Sequence, residues 1–80
     1  MKNVKIYSTS TCTYCKMAKD FFTKNNVPFE DYNVGTDVEK RKEMLEISGQ
    51  MGVPVIMVEG ETEPIIGFDK PALMHLLGIQ

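Results

Sequence analysis

Apolar positions along the chain switch between two periods. In "NVKIY", residues 3 to 7, Val4 and Ile6 alternate with polar neighbours, which predicts a strand with both on one face. Beyond the polar turn of residues 8 to 11, Tyr14, Met17, Ala18, Phe21 and Phe22 recur three and four residues apart. That spacing predicts a helix over 13–25 with these side chains as its apolar stripe, ended by Asn25, Asn26 and Pro28. "PFEDYNV" predicts a second strand, and "TDVE" at 36 to 39 has the capping-box pattern, with Thr36 as cap and Glu39 three residues later. The second helix then runs from about Asp37 to Ser48 with "EKRKE" as a solvated face, and Gly49 ends it in a left-handed conformation.

The short apolar run in "VPVIMVEG" suits a strand buried on both faces, while "EGET" supplies a turn and "EPII" a partner strand. Asp69 caps a last helix with Pro71 in its first turn, Leu73, Leu76 and Leu77 on its inner face and Gly78 beyond its end. The order is βαβαββα. A βαβ crossover makes the first two strands parallel and a hairpin makes the last two antiparallel. The fold class is therefore α/β, a four-stranded mixed sheet flanked by three helices.

The 80 residues suit one small domain over positions 1–80. A formal charge of -2 and a pI near 5.3 give no electrostatic basis for binding nucleic acid or an anionic membrane. "MKNVKIY" lacks the apolar core of a signal peptide, and no apolar run reaches the roughly 20 residues that span a bilayer, so the expected compartment is the cytoplasm. In a reducing cytosol two cysteines this close point to catalysis or metal binding. A staple would gain little, because the loop entropy a disulfide removes shrinks with the segment it closes.

Those cysteines, Cys12 and Cys15, fall where the first strand gives way to the first helix. At that junction the leading N–H groups lack intrahelical partners and the macrodipole is positive, which favours a thiolate on Cys12 and brings its pKa below the free value of about 8.5. Cys15, one turn inside on the same side, can bring its sulfur to that of Cys12 and so resolve a mixed disulfide. Tyr14, between them, either lines the approach to the sulfur or begins the apolar stripe, and Lys16 is read as a solvated lysine.

"CTYCKMAKDFF" after an N-terminal strand, "MGVPVIMVEG" about forty residues later and "IIGFDKPAL" before the last helix resemble the glutaredoxins over nearly the whole chain, above all short bacterial glutaredoxin-like proteins. The resemblance implies the thioredoxin fold with strand order 2-1-3-4. It implies a dithiol-disulfide oxidoreductase that reduces protein disulfides or glutathione mixed disulfides, with Cys12 as nucleophile and Cys15 as resolving cysteine. No tightly bound cofactor is implied, and the electron donor is glutathione or thioredoxin reductase. It further implies a cis peptide before Pro54, which turns the backbone of Val53 outward to pair with an incoming peptide or glutathione. Gly67, Phe68 and Asp69 match the segment that holds the γ-glutamyl end of glutathione, where a helix N-terminus suits a carboxylate. Asp69 also serves there as the helix cap.

The chain departs from the family pattern at Thr13, where many members have proline, and at Thr9, where a lysine commonly sits near the glutathione glycine carboxylate. "GVP" with Gly52 and "IG" with Ile66 and Gly67 resemble the NrdH-type redoxins, which take electrons from thioredoxin reductase and pass them to ribonucleotide reductase. That is the alternative function. A different class, a metal or iron–sulfur module, needs more ligands than two cysteines and His75, so it would require two chains. His75 is read as a surface residue near a helix end, and the chain as a monomer whose partners are disulfide-bearing proteins. Met17, Met44, Met57 and Met74 are read as core filling, Met51 as a neighbour of the substrate loop, and Phe68 as packing inward or offering an apolar surface to substrate.

Overall fold

Strand β1 (Val4–Ser8) pairs in parallel with β2 (Phe29–Asn33) and antiparallel with β3 (Val55–Val58), and β4 (Ile65–Ile66) adds to β3, giving the order β2-β1-β3-β4. Helices α1 (Thr13–Lys24), α2 (Val38–Ser48) and α3 (Lys70–Leu77) complete the predicted βαβαββα chain. The computed structural model describes residues 2–79. Both the mixed sheet expected from the sequence pattern and the 2-1-3-4 order implied by the resemblance are observed. Among the described residues no helix is long and apolar enough to cross a membrane.

Being central, β1 is buried on both faces, and only Lys5 within it is exposed. On one face Ala18, Phe21 and Phe22 of α1 and Leu73 and Leu77 of α3 pack against Val4, Ile6, Ile56 and Val58. Phe22 has no exposed surface, and full burial of such a side chain contributes roughly 1.5–3 kcal/mol. The opposite face carries a smaller cluster of Tyr7, Val34, Met44 and Val55, to which α2 brings Met44.

Three local expectations need correction. The buried stripe of α1 is Cys15, Ala18, Phe21 and Phe22, while Tyr14 is 63% and Met17 46% exposed. Because Cys15 takes the face over the sheet, the residues one position before it and before Ala18 are carried round toward solvent. Met17 is thus not core filling, whereas Met44 is, and Met57 and Met74 pack at the edges of the two clusters.

The cap of α2 is Asp37, whose Oδ1 accepts the Lys40 N–H at 3.0 Å. Thr36 instead belongs to the preceding turn, donating its N–H to Asn33 O, and a carboxylate at the cap is also favoured by the helix dipole. Nor is "EKRKE" one solvated face: Lys40, Arg41 and Glu43 are half-buried. Glu43 accepts the Tyr7 hydroxyl at 2.5 Å and Lys40 Nζ at 3.0 Å, and Arg41 Nε donates to Val34 O. Gly49 ends α2 at φ 69°, in the left-handed region as expected.

Candidate active site

The chain passes from β1 into α1 through residues 9 to 12, and Cys12 is the N-cap of the helix, with φ -86° and ψ 111°. Its Sγ accepts the Cys15 N–H at 3.1 Å, the role a capping oxygen has elsewhere, and its C=O accepts the Lys16 N–H at 3.2 Å. The first turn holds no acidic residue. Negative charge on Cys12 sulfur is therefore met by an amide and the positive helix end, without an opposing carboxylate in that turn.

The Cα atoms of Cys12 and Cys15 are 5.2 Å apart and their sulfurs are bonded to each other. The two differ sharply in access. Cys12 is half-buried, whereas Cys15 is 0% exposed beneath the first turn of α1.

A second loop faces this pair. The Val53–Pro54 peptide is cis, Pro54 is fully buried, and the Val53 carbonyl oxygen lies 3.9 Å from Cys12 Sγ. Gln50 folds back to shape the approach: the Gly52 N–H donates to Gln50 Oε1 at 2.6 Å and Gln50 Nε2 donates to Gly52 O at 3.0 Å. A third loop is fastened to the second, for the Gly67 N–H donates to Pro54 O at 2.8 Å. Gly67 has φ 84°, a conformation that favours glycine, and turns the chain from β4 into Phe68 and Asp69. The half-buried Phe68 ring meets Phe21 edge-on at 5.8 Å and also borders the groove, so its inward packing leaves part of it facing outward. Asp69 caps α3, its Oδ1 accepting the Ala72 N–H at 3.2 Å.

The residues expected to bind substrate are thus brought together by three loops. Tyr14, Val53, Pro54, Gly67, Phe68 and Asp69 line a shallow groove of about 620 Å³, and Val53 in that lining has its carbonyl oxygen 3.9 Å from Cys12 Sγ. Tyr14 is exposed and lines this groove instead of beginning the buried stripe of α1. Met17, Ile66, Lys70 and Pro71 line the same groove and were not foreseen. Helical spacing offered one signal, since Met17 follows Tyr14 by three residues and must share its side of α1. Alternation in β4 offered another: Ile65 packs on the core and Ile66 points out.

Thr9 is half-buried and its C=O accepts the Cys12 N–H, so no cation stands at that position. Lys16 is exposed, and His75 is exposed in the last turn of α3. Among the described residues no three His, Cys, Asp or Glu side chains converge as a metal site. A larger groove of about 660 Å³ lies on the α2 face toward the start of β1, lined by Lys5, Glu30, Glu43, Ile47, Met57 and Glu61 among others. None of Tyr14, Val53, Pro54, Gly67, Phe68 and Asp69 borders it.

A glutaredoxin family model matches residues 4–62. An uncharacterized glutaredoxin-like 8.6 kDa protein of the rubredoxin operon of Clostridium pasteurianum is 43% identical over 74 residues, covering 92% of this chain and 96% of that protein. Glutaredoxin 3 of Escherichia coli K12 is 36% identical over 61 residues, 76% of this chain and 74% of its own. Among solved structures, a glutaredoxin from Archaeoglobus fulgidus superposes with a TM-score of 0.82 at 26% identity, over 96% of this chain and 87% of that one.

Proposed function

Because the chain belongs to the glutaredoxin family, whose members are thiol-disulfide oxidoreductases, we propose that Cys12 attacks the substrate disulfide and Cys15 resolves the product. The family, the fold and the bonded cysteine pair make this protein a thiol-disulfide oxidoreductase. The division of labour is supported by one observation: Cys12, whose sulfur accepts the Cys15 amide at a helix start, is half-buried, while Cys15 has no exposed surface. The thiolate is the attacking species, so the accessible and stabilised sulfur goes first.

In the reduced protein Cys12 thiolate attacks one sulfur of the substrate disulfide and forms a mixed disulfide. Cys15 then attacks Cys12 sulfur, the substrate leaves reduced, and the internal bridge seen here remains. Val53 lies outside the β3 ladder, which leaves its backbone available to pair with an extended peptide or a glutathione backbone, and Pro54 keeps the strand from closing over the thiol. Tyr14 forms one wall of that approach. Gly67, Phe68 and Asp69, at the start of α3, receive the γ-glutamyl carboxylate when glutathione is the ligand.

Glutaredoxins act on disulfide substrates and on glutathione, and use no tightly bound cofactor. The proposed substrates here are protein disulfides and glutathione mixed disulfides, reduced at the expense of glutathione. Thr9 supports a second reading, the NrdH-type one, in which thioredoxin reductase is the donor and ribonucleotide reductase the acceptor, because the cationic contact to glutathione is missing. Cys12→Ser is expected to abolish reduction of a protein disulfide, and retention of activity would overturn the assignment. Parallel reduction of the oxidised protein by glutathione and by thioredoxin reductase separates the two donors: turnover with the enzyme alone selects the second reading.

A further inference from the structure

Helix α2 ends at Ser48, and Gly49 turns the chain out of it at φ 69°. Residues 49 to 52 then lead to the cis Val53–Pro54 peptide without belonging to any strand. Gly49 and Gly52 are among them, and glycine loses more backbone freedom on being fixed than any other residue. One side chain holds the segment. The Gln50 carboxamide accepts the Gly52 N–H on Oε1 at 2.6 Å, and its Nε2 donates to Gly52 O at 3.0 Å and to Ser48 Oγ at 3.3 Å. Ser48 in turn donates its hydroxyl to Met44 O at 2.7 Å, inside α2. Both protons of the amide and its oxygen are thus engaged. A carboxamide carries the donor and acceptor of a peptide unit, so Gln50 meets Gly52 as a residue of a neighbouring strand would.

Glycine at position 52 admits this contact. A Cβ there would stand 2.7 Å from Gln50 Oε1, too close for both to keep their places. Backbone conformation gives no second reason for the glycine, since Gly52 does not have a positive φ.

The residue that follows faces the other way. In an extended chain, successive residues turn their N–H and C=O groups to opposite sides. With Gly52 turned to Gln50, Val53 is turned to the cysteines. Its carbonyl oxygen lies 3.9 Å from Cys12 Sγ, and among the described residues no acceptor takes its N–H. We propose that Gln50 is a positioning residue for substrate: as a strand partner to Gly52, it aims the Val53 backbone at the residue being joined to Cys12. The inference rests on the pairing role given above to Val53. Gln50 does not line the groove and acts through Gly52. Loss of its clamp should therefore weaken recognition of a substrate backbone and leave the reactivity of Cys12, which is set by α1, as it was.

Two pentapeptides test this, each with a central cysteine joined by a disulfide to a chromogenic aryl thiol, one of them N-methylated on the amide of that cysteine. In the reduced protein Cys12 thiolate attacks the cysteinyl sulfur. The bond from Cys12 Sγ to the peptide forms, the bond to the aryl sulfur breaks, and the coloured thiolate leaves with the electron pair. Methylation removes the proton that Val53 O would accept. The ratio of the two release rates, each divided by its rate with dithiothreitol, therefore reads the pairing. In the parent protein the ratio is expected to favour the free amide by about ten-fold. Gln50→Met, of similar length but without the amide, should bring it to within about two-fold of unity, while alkylation of Cys12 by iodoacetamide stays within about two-fold of the parental rate from about pH 5 to about pH 9. Gly52→Ala should do the same with Gln50 in place, because its methyl displaces the far end of that side chain. Gln50→Met combined with Gly52→Ala should be no worse than either alone. A parental ratio kept in both single variants overturns the proposal, as does a fall in alkylation that matches the fall in release. Should Gln50→Met fail to fold, Gly52→Ala decides. A ratio near unity in the parent protein strikes the pairing by Val53 and the role of Gln50 with it, and leaves the assignment of Cys12 and Cys15 untouched.

Discussion

The face of the sheet under α1 and α3 is joined through apolar side chains, with Ile6, Ala18, Phe22, Ile56 and Leu73 all without exposed surface. The face under α2 has a smaller apolar cluster and is tied by polar links: Tyr7 to Glu43, Glu43 to Lys40, and Lys40 Nζ 4.1 Å above the Tyr32 ring. The helix that bears the cysteines thus rests chiefly on apolar contacts, with the Lys19–Asp31 pair at its margin. The helix that leads into the Gln50–Pro54 loop is secured by groups that do. The two loops of one site are set by elements with different chemical sensitivities.

The largest test is of the apolar face. Phe22→Ala should lower unfolding free energy in urea by about 3–5 kcal/mol, and Met44→Ala on the α2 face by about 2 kcal/mol, the low end for a truncated core side chain. Equal losses would erase the contrast. Tyr7→Phe leaves Glu43 without its hydroxyl donor and should cost about 1–2 kcal/mol by the same measurement.

A pH titration of stability sharpens the contrast further. The Tyr7 hydroxyl first, and Lys40 next, hold the Glu43 carboxyl below its ordinary value of 4.5. That stabilisation is present above pH 4.5 and is lost as pH falls through the lower folded value, so Glu43→Gln should flatten the acid limb while Phe22→Ala shifts the curve without changing its shape. Burial first, and Glu43 next, raise Tyr7 above its ordinary value of 10.0, so the neutral hydroxyl contributes stability below pH 10.0 that is lost as pH rises beyond it. The smallest effect belongs to neither face. Lys24→Ala removes a pair with Asp20 in which the side chains are 75% and 62% exposed, and should leave the urea midpoint unchanged.

Element order and the mixed character of the sheet were readable because each segment has one clear period and its own punctuation, as with Asn25 and Asn26 after α1 and Gly49 after α2, whereas the 2-1-3-4 order was implied by the family resemblance. The cysteine pair was readable because its place at a helix start is a local matter. What escaped was decided by tertiary neighbours. Tyr14 and Met17 scan as part of an apolar stripe, yet burial of Cys15 rotates them into the groove. Glu43 scans as a surface charge, yet Tyr7, 36 residues earlier, draws it under α2. Thr36 and Asp37 are both capable caps, and the turn from Asn33 gives the role to the second. Asp31 accepts hydrogen bonds from Ser8 and Lys19, which stand on two other elements, and no spacing within one element announces their meeting.

The brevity of β4 bears on solubility of the folded chain. With two residues, Ile65–Ile66, it presents a minimal run of unpaired backbone to a neighbouring molecule, although Ile66 is 53% exposed. At the opposite border β2 carries the exposed charges Glu30 and Asp31, which would have to shed water for another strand to add there. Both margins of the sheet thereby discourage edge-to-edge polymerisation, and the apolar groove can stay open for exchange without seeding fibrils.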